Sequence, residues 1–170
     1  HGDIKLYLQP KVDLKTGEVT QAEALVRWID PKKGLIPVSD FLPELEKNGL
    51  IGDLDLFLFE RVCKNIRRWL ELYGKKIRIS VNLSSDMFNY RYFLKEYAAV
   101  YEKYPCPKDC IEFELLESIV LNQVDQVQNV VGQLKNFGFS CSLDDFGSGY
   151  SSFSVLTNTD LVSLKIDRSL

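Results

Sequence analysis

From residue 19 onward, short segments rich in β-branched and aromatic residues alternate with longer stretches that carry helical apolar stripes, and this alternation constrains the fold most strongly. The strand-like segments are IKLYLQ (4 to 9), VTQAEALVRW (19 to 28), IRISVNLS (77 to 84), IEFELL (111 to 116), FSCSLDD (139 to 145) and LVSLKID (161 to 167). Between them, FLPELEKNG (41 to 49) follows the Ser39-Asp40 pair, which reads as a helix cap, and stops at Gly49. DLDLFLFERVCKNIRRWLEL (53 to 72) sets apolar residues at 59, 62, 63, 66, 69 and 70, one face of a helix. Further helices are expected from about Met87 to Tyr104 and from Asn122 to Gly138. Such repetition predicts a parallel sheet with crossover helices. The first two strands are joined only by KVDLKTGE, so they should form an antiparallel hairpin feeding the parallel series.

Polar residues gather at the strand ends: Gln9; Glu23 and Arg27; Asn82 and Ser84; Glu114 and Glu117; Asp144 and Asp145; Lys165 and Asp167. A (β/α) barrel builds its site from that rim, whereas a doubly wound sheet concentrates ligands at one switch point. The expected fold is therefore an α/β, TIM-like barrel with an antiparallel first strand. It is expected to be incomplete, because six of the usual eight strands are found and the chain looks cut short after the sixth.

The net charge of −3 argues against long nucleic acid as a partner, while leaving room for a small anionic ligand held by local cations. The single histidine, His1, sits at the extreme N-terminus and is a poor base for a Ser-His-Asp or Cys-His arrangement. Cys106 and Cys110 in PCPKDC fall short of a four-ligand zinc set and read as ordinary reduced thiols. With no signal peptide or membrane-length apolar run, the chain is expected to be cytoplasmic, including the cytoplasmic part of a larger membrane-anchored protein.

Four acidic residues and an asparagine on converging strand ends, without a cation for each, would repel one another; a divalent metal resolves that. Oxygen-only ligands suit Mg²⁺ or Mn²⁺ rather than zinc or copper. The adjacent Asp144 and Asp145 would serve two ions clamping a phosphoryl displacement, with Lys165 neutralising a phosphate oxygen or orienting the attacking water. Each residue also has a plain alternative: a solvated strand charge for Glu23, an Asx turn for Asn82, a helix cap for Glu117, an ion pair with Asp145 for Lys165.

The ordered set Glu23-Ala24-Leu25, VNLSS (81 to 85), ELLES (114 to 118), LDDFGSGYSSF (143 to 153) and LKIDRSL (164 to 170) resembles the successive motifs of EAL-domain phosphodiesterases, which hydrolyse cyclic di-GMP to linear pGpG. The resemblance covers essentially the whole chain. It implies metal ligands at Glu23, Asn82, Glu114, Asp144 and Asp145, a lysine on the catalytic water at Lys165, and a loop-steadying glutamate at Glu117. It further implies substrate contacts at Gln9, Arg27 and Ser84, with Arg27 on a phosphate. Two Mg²⁺ or Mn²⁺ ions would be the cofactors. Leu116 and Ser148 stand where the family commonly has threonine, and the family's later glutamate- and glutamine-bearing segments would follow Leu170. A chain without them is expected to be inactive by itself. Some EAL-like domains that have lost metal ligands act as cyclic di-GMP receptors instead, which is the alternative function. Fusion to GGDEF or sensory domains is expected from the resemblance, and homodimerisation from the apolar faces of an unfinished barrel.

Overall fold

The computed structural model describes residues 3–85, 93–147 and 159–169. His1, the first part of the helix expected from Met87, and residues 148 to 152 of the glycine-bearing loop lie outside them. Chain order is β1 (Asp3–Val12), β2 (Val19–Asp30), β3 (Gly34–Ile36), α1 (Val38–Lys47), α2 (Ile51–Tyr73), β4 (Arg78–Asn82), α3 (Phe93–Lys103), β5 (Ile111–Leu116), α4 (Glu117–Asn122), α5 (Val124–Phe137), β6 (Ser140–Phe146) and β7 (Ser163–Ile166). One sheet carries all the strands in the order β1-β2-β4-β5-β6-β7, with β3 paired to β2. Strand β1 runs antiparallel to β2, and β2, β4, β5, β6 and β7 pair in parallel. This is the arc of a TIM-like barrel with a reversed first strand. Among the described residues, β1 and β7 are its open ends.

Period-two alternation assigns each strand an outer and an inner face. On β5 the outer residues Ile111, Phe113 and Leu115 are fully buried beneath the helices. The inner residues Glu112 and Glu114 are buried too, at 3% and 1% exposure. In a free-standing antiparallel sheet such alternation would signal one face in water; the barrel covers both faces and encloses the carboxylates. Outside the sheet, α2 supplies Phe59, Val62, Cys63 and Ile66 to the core, and α3 supplies Phe93 and Tyr97. The Phe59 ring meets Tyr97 edge-on at 4.9 Å and stacks on Phe113 at 5.7 Å. No helix among the described residues is long and apolar enough to cross a membrane.

Four local features differ from the sequence expectations. A short strand, β3, adds to the hairpin edge where only a loop was expected. Helix α1 begins at Val38 behind Pro37, whose φ of −57° leads the chain in; Ser39 and Asp40 lie inside the first turn and make no side-chain cap. Ser39 Oγ bonds the Asp40 carboxylate instead, at 3.1 Å. The helix expected from Asn122 is α5, but a short helix that the sequence did not suggest, α4, precedes it directly at the end of β5, with Gln123 at φ −137° between the two. The predicted stop of α5 holds: Gly138 takes φ 104° and donates to the carbonyls of Leu134 and Lys135.

The fourth difference reaches the site. Strand β6 pairs Leu143 with Leu164 and Phe146 with Ile166, so two β6 residues, Asp144 and Asp145, stand opposite the single Lys165. Asp145 is the one non-glycine residue with positive φ, 55°, among the described residues. This bulge breaks the strict alternation that would otherwise send two adjacent residues to opposite faces of the strand.

Candidate functional site

Inner-face positions on four strands converge. Glu23 of β2, Glu114 of β5 and Asp144 of β6 bring one carboxylate oxygen each within 4.8 Å of one another. The Lys165 ammonium of β7 sits among them, donating to Asp144 Oδ2 at 2.7 Å and to Glu23 Oε2 and Glu114 Oε2, both at 2.9 Å. These partners are up to 142 positions apart in the chain, and the curl of the sheet alone brings them together.

A second cation enters from β1. Lys11 Nζ donates to Glu114 Oε1 at 2.6 Å and to Ser80 Oγ at 2.8 Å. Both oxygens of Glu114, whose side chain is fully enclosed, therefore accept from ammonium groups. The sequence expectation of acids without cations is corrected to this extent: three carboxylates meet two lysines, and one negative charge is left over. Lys165 pairs with Asp144, Glu23 and Glu114 rather than with Asp145.

Lys11 was not anticipated, because the first strand was expected to end at Gln9. The signal lies in the period: Lys11 is two residues beyond Gln9 on the same face, and β1 continues to Val12. Glu112 was also missed. It is buried one inner position before Glu114, bonded by Ser163 Oγ at 3.3 Å and paired with Arg78 at 3.5 Å.

Burial raises the Glu114 pKa, but the bonds from Lys11 and Lys165 outweigh it and hold the carboxyl below its ordinary value. Burial opposes the charge on Lys165, while its bonds to Asp144, Glu23 and Glu114 raise its pKa above the ordinary lysine value. Partial desolvation, then the neighbouring Asp144 and Asp167 carboxylates, push Asp145 upward. A depressed Glu114 stabilises the fold above its unfolded value of 4.5, and that contribution disappears as pH falls through the lower folded value. A raised Lys165 stabilises below 10.5 and loses its contribution only as pH rises through a still higher folded value. The urea midpoint of the metal-free chain should therefore hold steady from about pH 6 to about pH 9 and decline below about pH 4.5, less steeply in Glu114→Gln. Equal acid sensitivity in both chains would contradict this account.

The remaining expected residues lie around the cluster. Asn82 is exposed, and its Nδ2 donates to Glu23 Oε1 at 3.4 Å. Asp145 is exposed on the bulge, outside the converging three; its backbone N–H donates to Asp144 Oδ1 at 2.8 Å. Glu117, buried at the start of α4, accepts the Gly147 N–H at 3.1 Å and so grips the loop where it leaves β6. Gln9 is exposed and in register with Glu23, which puts both on one face. Arg27 and Ser84, with Asn82, Asp55 and Leu116, line a pocket of about 390 Å³. The Ser84 hydroxyl is buried there with no hydrogen-bond partner among the described residues, and its backbone N–H donates to Asp55 at 3.2 Å. Cys106 and Cys110 are buried free thiols, and the converging metal-ligand group does not include them.

The oxygen-only donors, their convergence and the leftover negative charge fit a hard divalent cation. The Lys165 ammonium marks where positive charge is taken up.

The family model described as EAL domain matches residues 1–170. The cyclic di-GMP phosphodiesterase NbdA of Pseudomonas aeruginosa is 35% identical over 167 residues, covering 98% of this chain and 21% of that protein. The cyclic di-GMP phosphodiesterase PA2567 of the same species is 29% identical over 164 residues, covering 96% of this chain and 28% of its own length. The chain thus spans under a third of these relatives. Among solved structures, the PaMucR phosphodiesterase in complex with c-di-GMP superposes with a TM-score of 0.90 at 33% identity, covering 98% of this chain and 67% of the other.

Proposed function

Since this chain belongs to the EAL domain family, we propose that it is the metal-dependent hydrolytic domain of a cyclic di-GMP phosphodiesterase, converting the cyclic dinucleotide to linear pGpG. The observation that carries the reading is the convergence of Glu23, Glu114 and Asp144 around one ammonium, on strands that share a barrel interior.

In this reading Glu23, Asn82, Glu114, Asp144 and Asp145 hold two Mg²⁺ or Mn²⁺ ions. Bound there, the ions supply positive charge that offsets the charge developing on the phosphodiester and acidify water. Lys165, whose ammonium already donates to three of these carboxylates, is placed to donate to the attacking water or to a phosphate oxygen. Water adds to one phosphorus, the bond from phosphorus to the 3′ oxygen breaks, and the proton given up by water balances the charge on that leaving oxygen. Glu117 keeps the chain after Asp144 and Asp145 in place through Gly147. Arg27 pairs with a substrate phosphate, and the orphan Ser84 hydroxyl finds its hydrogen bond on the substrate. A cytoplasmic setting and attachment to GGDEF or sensory domains form part of the same proposal.

The test uses the full-length protein that carries these residues. With Mn²⁺ it should convert cyclic di-GMP to pGpG, resolved by chromatography, and removing the metal with a chelator should stop the conversion. Tight cyclic di-GMP binding with no pGpG would replace the enzyme reading by a receptor.

A further inference from the structure

Lys11 has no place in that mechanism, yet it holds the most enclosed carboxylate of the cluster. Its ammonium reaches 103 positions along the chain to take Glu114 Oε1 at 2.6 Å, a charge-assisted distance. Ser80 Oγ, on the neighbouring strand, holds the same nitrogen at 2.8 Å. The Glu114 side chain is fully enclosed, so its carboxylate has little freedom to swing away. The two lysines on it are also unlike each other. Lys165 divides its hold among three carboxylates, whereas Lys11 pairs with no other carboxylate among the described residues. A cation competing with Lys165 for those shared oxygens would find the second oxygen of Glu114 already taken.

We propose that Lys11 restricts Glu114 to a single oxygen toward the metal and thereby sets the preference of the site for small octahedral ions over Ca²⁺. The inference rests on the metal-centre reading above. Ca²⁺ takes six to eight oxygen ligands and readily uses both oxygens of one carboxylate, while Mg²⁺ and ions of similar size bind in a tighter octahedron. Blocking one oxygen of a fixed carboxylate penalises the larger ion more. A general charge effect would act differently: an extra ammonium repels all divalent cations alike and leaves their relative affinity unchanged.

Ion affinity is read by isothermal titration of the metal-free protein with Mn²⁺ and separately with Ca²⁺, for the native chain, Lys11→Met and Lys11→Arg. Lys11→Met should reduce the Mn²⁺ to Ca²⁺ affinity ratio by about tenfold, chiefly through tighter Ca²⁺ binding. Lys11→Arg, which keeps a charged donor for Oε1, should hold the ratio within about threefold of the native value. Equal tightening of both ions in Lys11→Met would reduce Lys11 to a background charge and overturn its assigned role. If circular dichroism shows that Lys11→Met does not fold, Lys11→Arg decides: a folded arginine variant whose ratio falls about tenfold overturns the role. Failure of the native chain to bind Mn²⁺ and Ca²⁺ alike would instead overturn the metal-centre reading.

Discussion

Glu114→Gln is expected to reduce cyclic di-GMP hydrolysis by about three orders of magnitude or more, because it removes a charged oxygen from the point where the metal ligands and Lys165 meet. The substitution keeps the shape but not the bonding. Both Glu114 oxygens accept from ammonium groups, Lys11 on one side and Lys165 on the other. A glutamine amide has one acceptor, so whichever way it turns, its NH₂ faces a lysine. A loss of stability of about 3 kcal/mol should accompany the loss of activity, in the range for breaking a buried ion pair from one side. Glu112→Gln is the control: that carboxylate is equally enclosed, with Arg78 and Ser163 as partners, and stands outside the converging group. It should lower the urea midpoint while leaving most of the hydrolysis. If both substitutions cost the same activity, Glu114 acts only by filling the barrel.

Phe59→Ala should cost about 3–5 kcal/mol, the largest stability effect expected of a single truncation outside the site. Phe59 is fully buried on α2 and touches rings from three other segments: Tyr97 of α3 at 4.9 Å, Phe113 of β5 at 5.7 Å and Phe139 at 6.0 Å. Losing it opens a cavity at the seam between helix layer and sheet, where β5 must stay in place to present Glu114. Urea denaturation of the metal-free chain gives the number, and a loss under about 1 kcal/mol would mean that the neighbouring rings collapse into the space.

Much of the sheet was legible because its elements are local. Runs rich in β-branched and aromatic residues marked β2, β5 and β6, the stripe at 59, 62, 63 and 66 marked α2, and KVDLKTGE was too short for anything but a hairpin. Strand β3 was not legible: three residues, Gly-Leu-Ile, carry too little pattern to separate a strand from a turn. Helix α4 was not legible either: its six residues, ESIVLN, are under two turns of pattern and follow directly on β5. The Ser39-Asp40 cap misled because Pro37 sets the entry to α1 one turn earlier than the side chains suggest.

The candidate site divides along the same line. The identities of Glu23, Glu114, Asp144 and Lys165, and their inward direction, follow from residue type and strand period, which are properties of each segment alone. Which atom meets which was decided only by the folded sheet. The bulge at Asp144 and Asp145 gives adjacent aspartates different surroundings, one buried at Lys165 and one exposed. The reversed β1 carries Lys11 inward to close the second side of Glu114. Those pairings join residues 21 to 142 positions apart. Hydrogen bonds depend on distances of tenths of an ångström, set by sheet curvature and register, and no local pattern of residues encodes them.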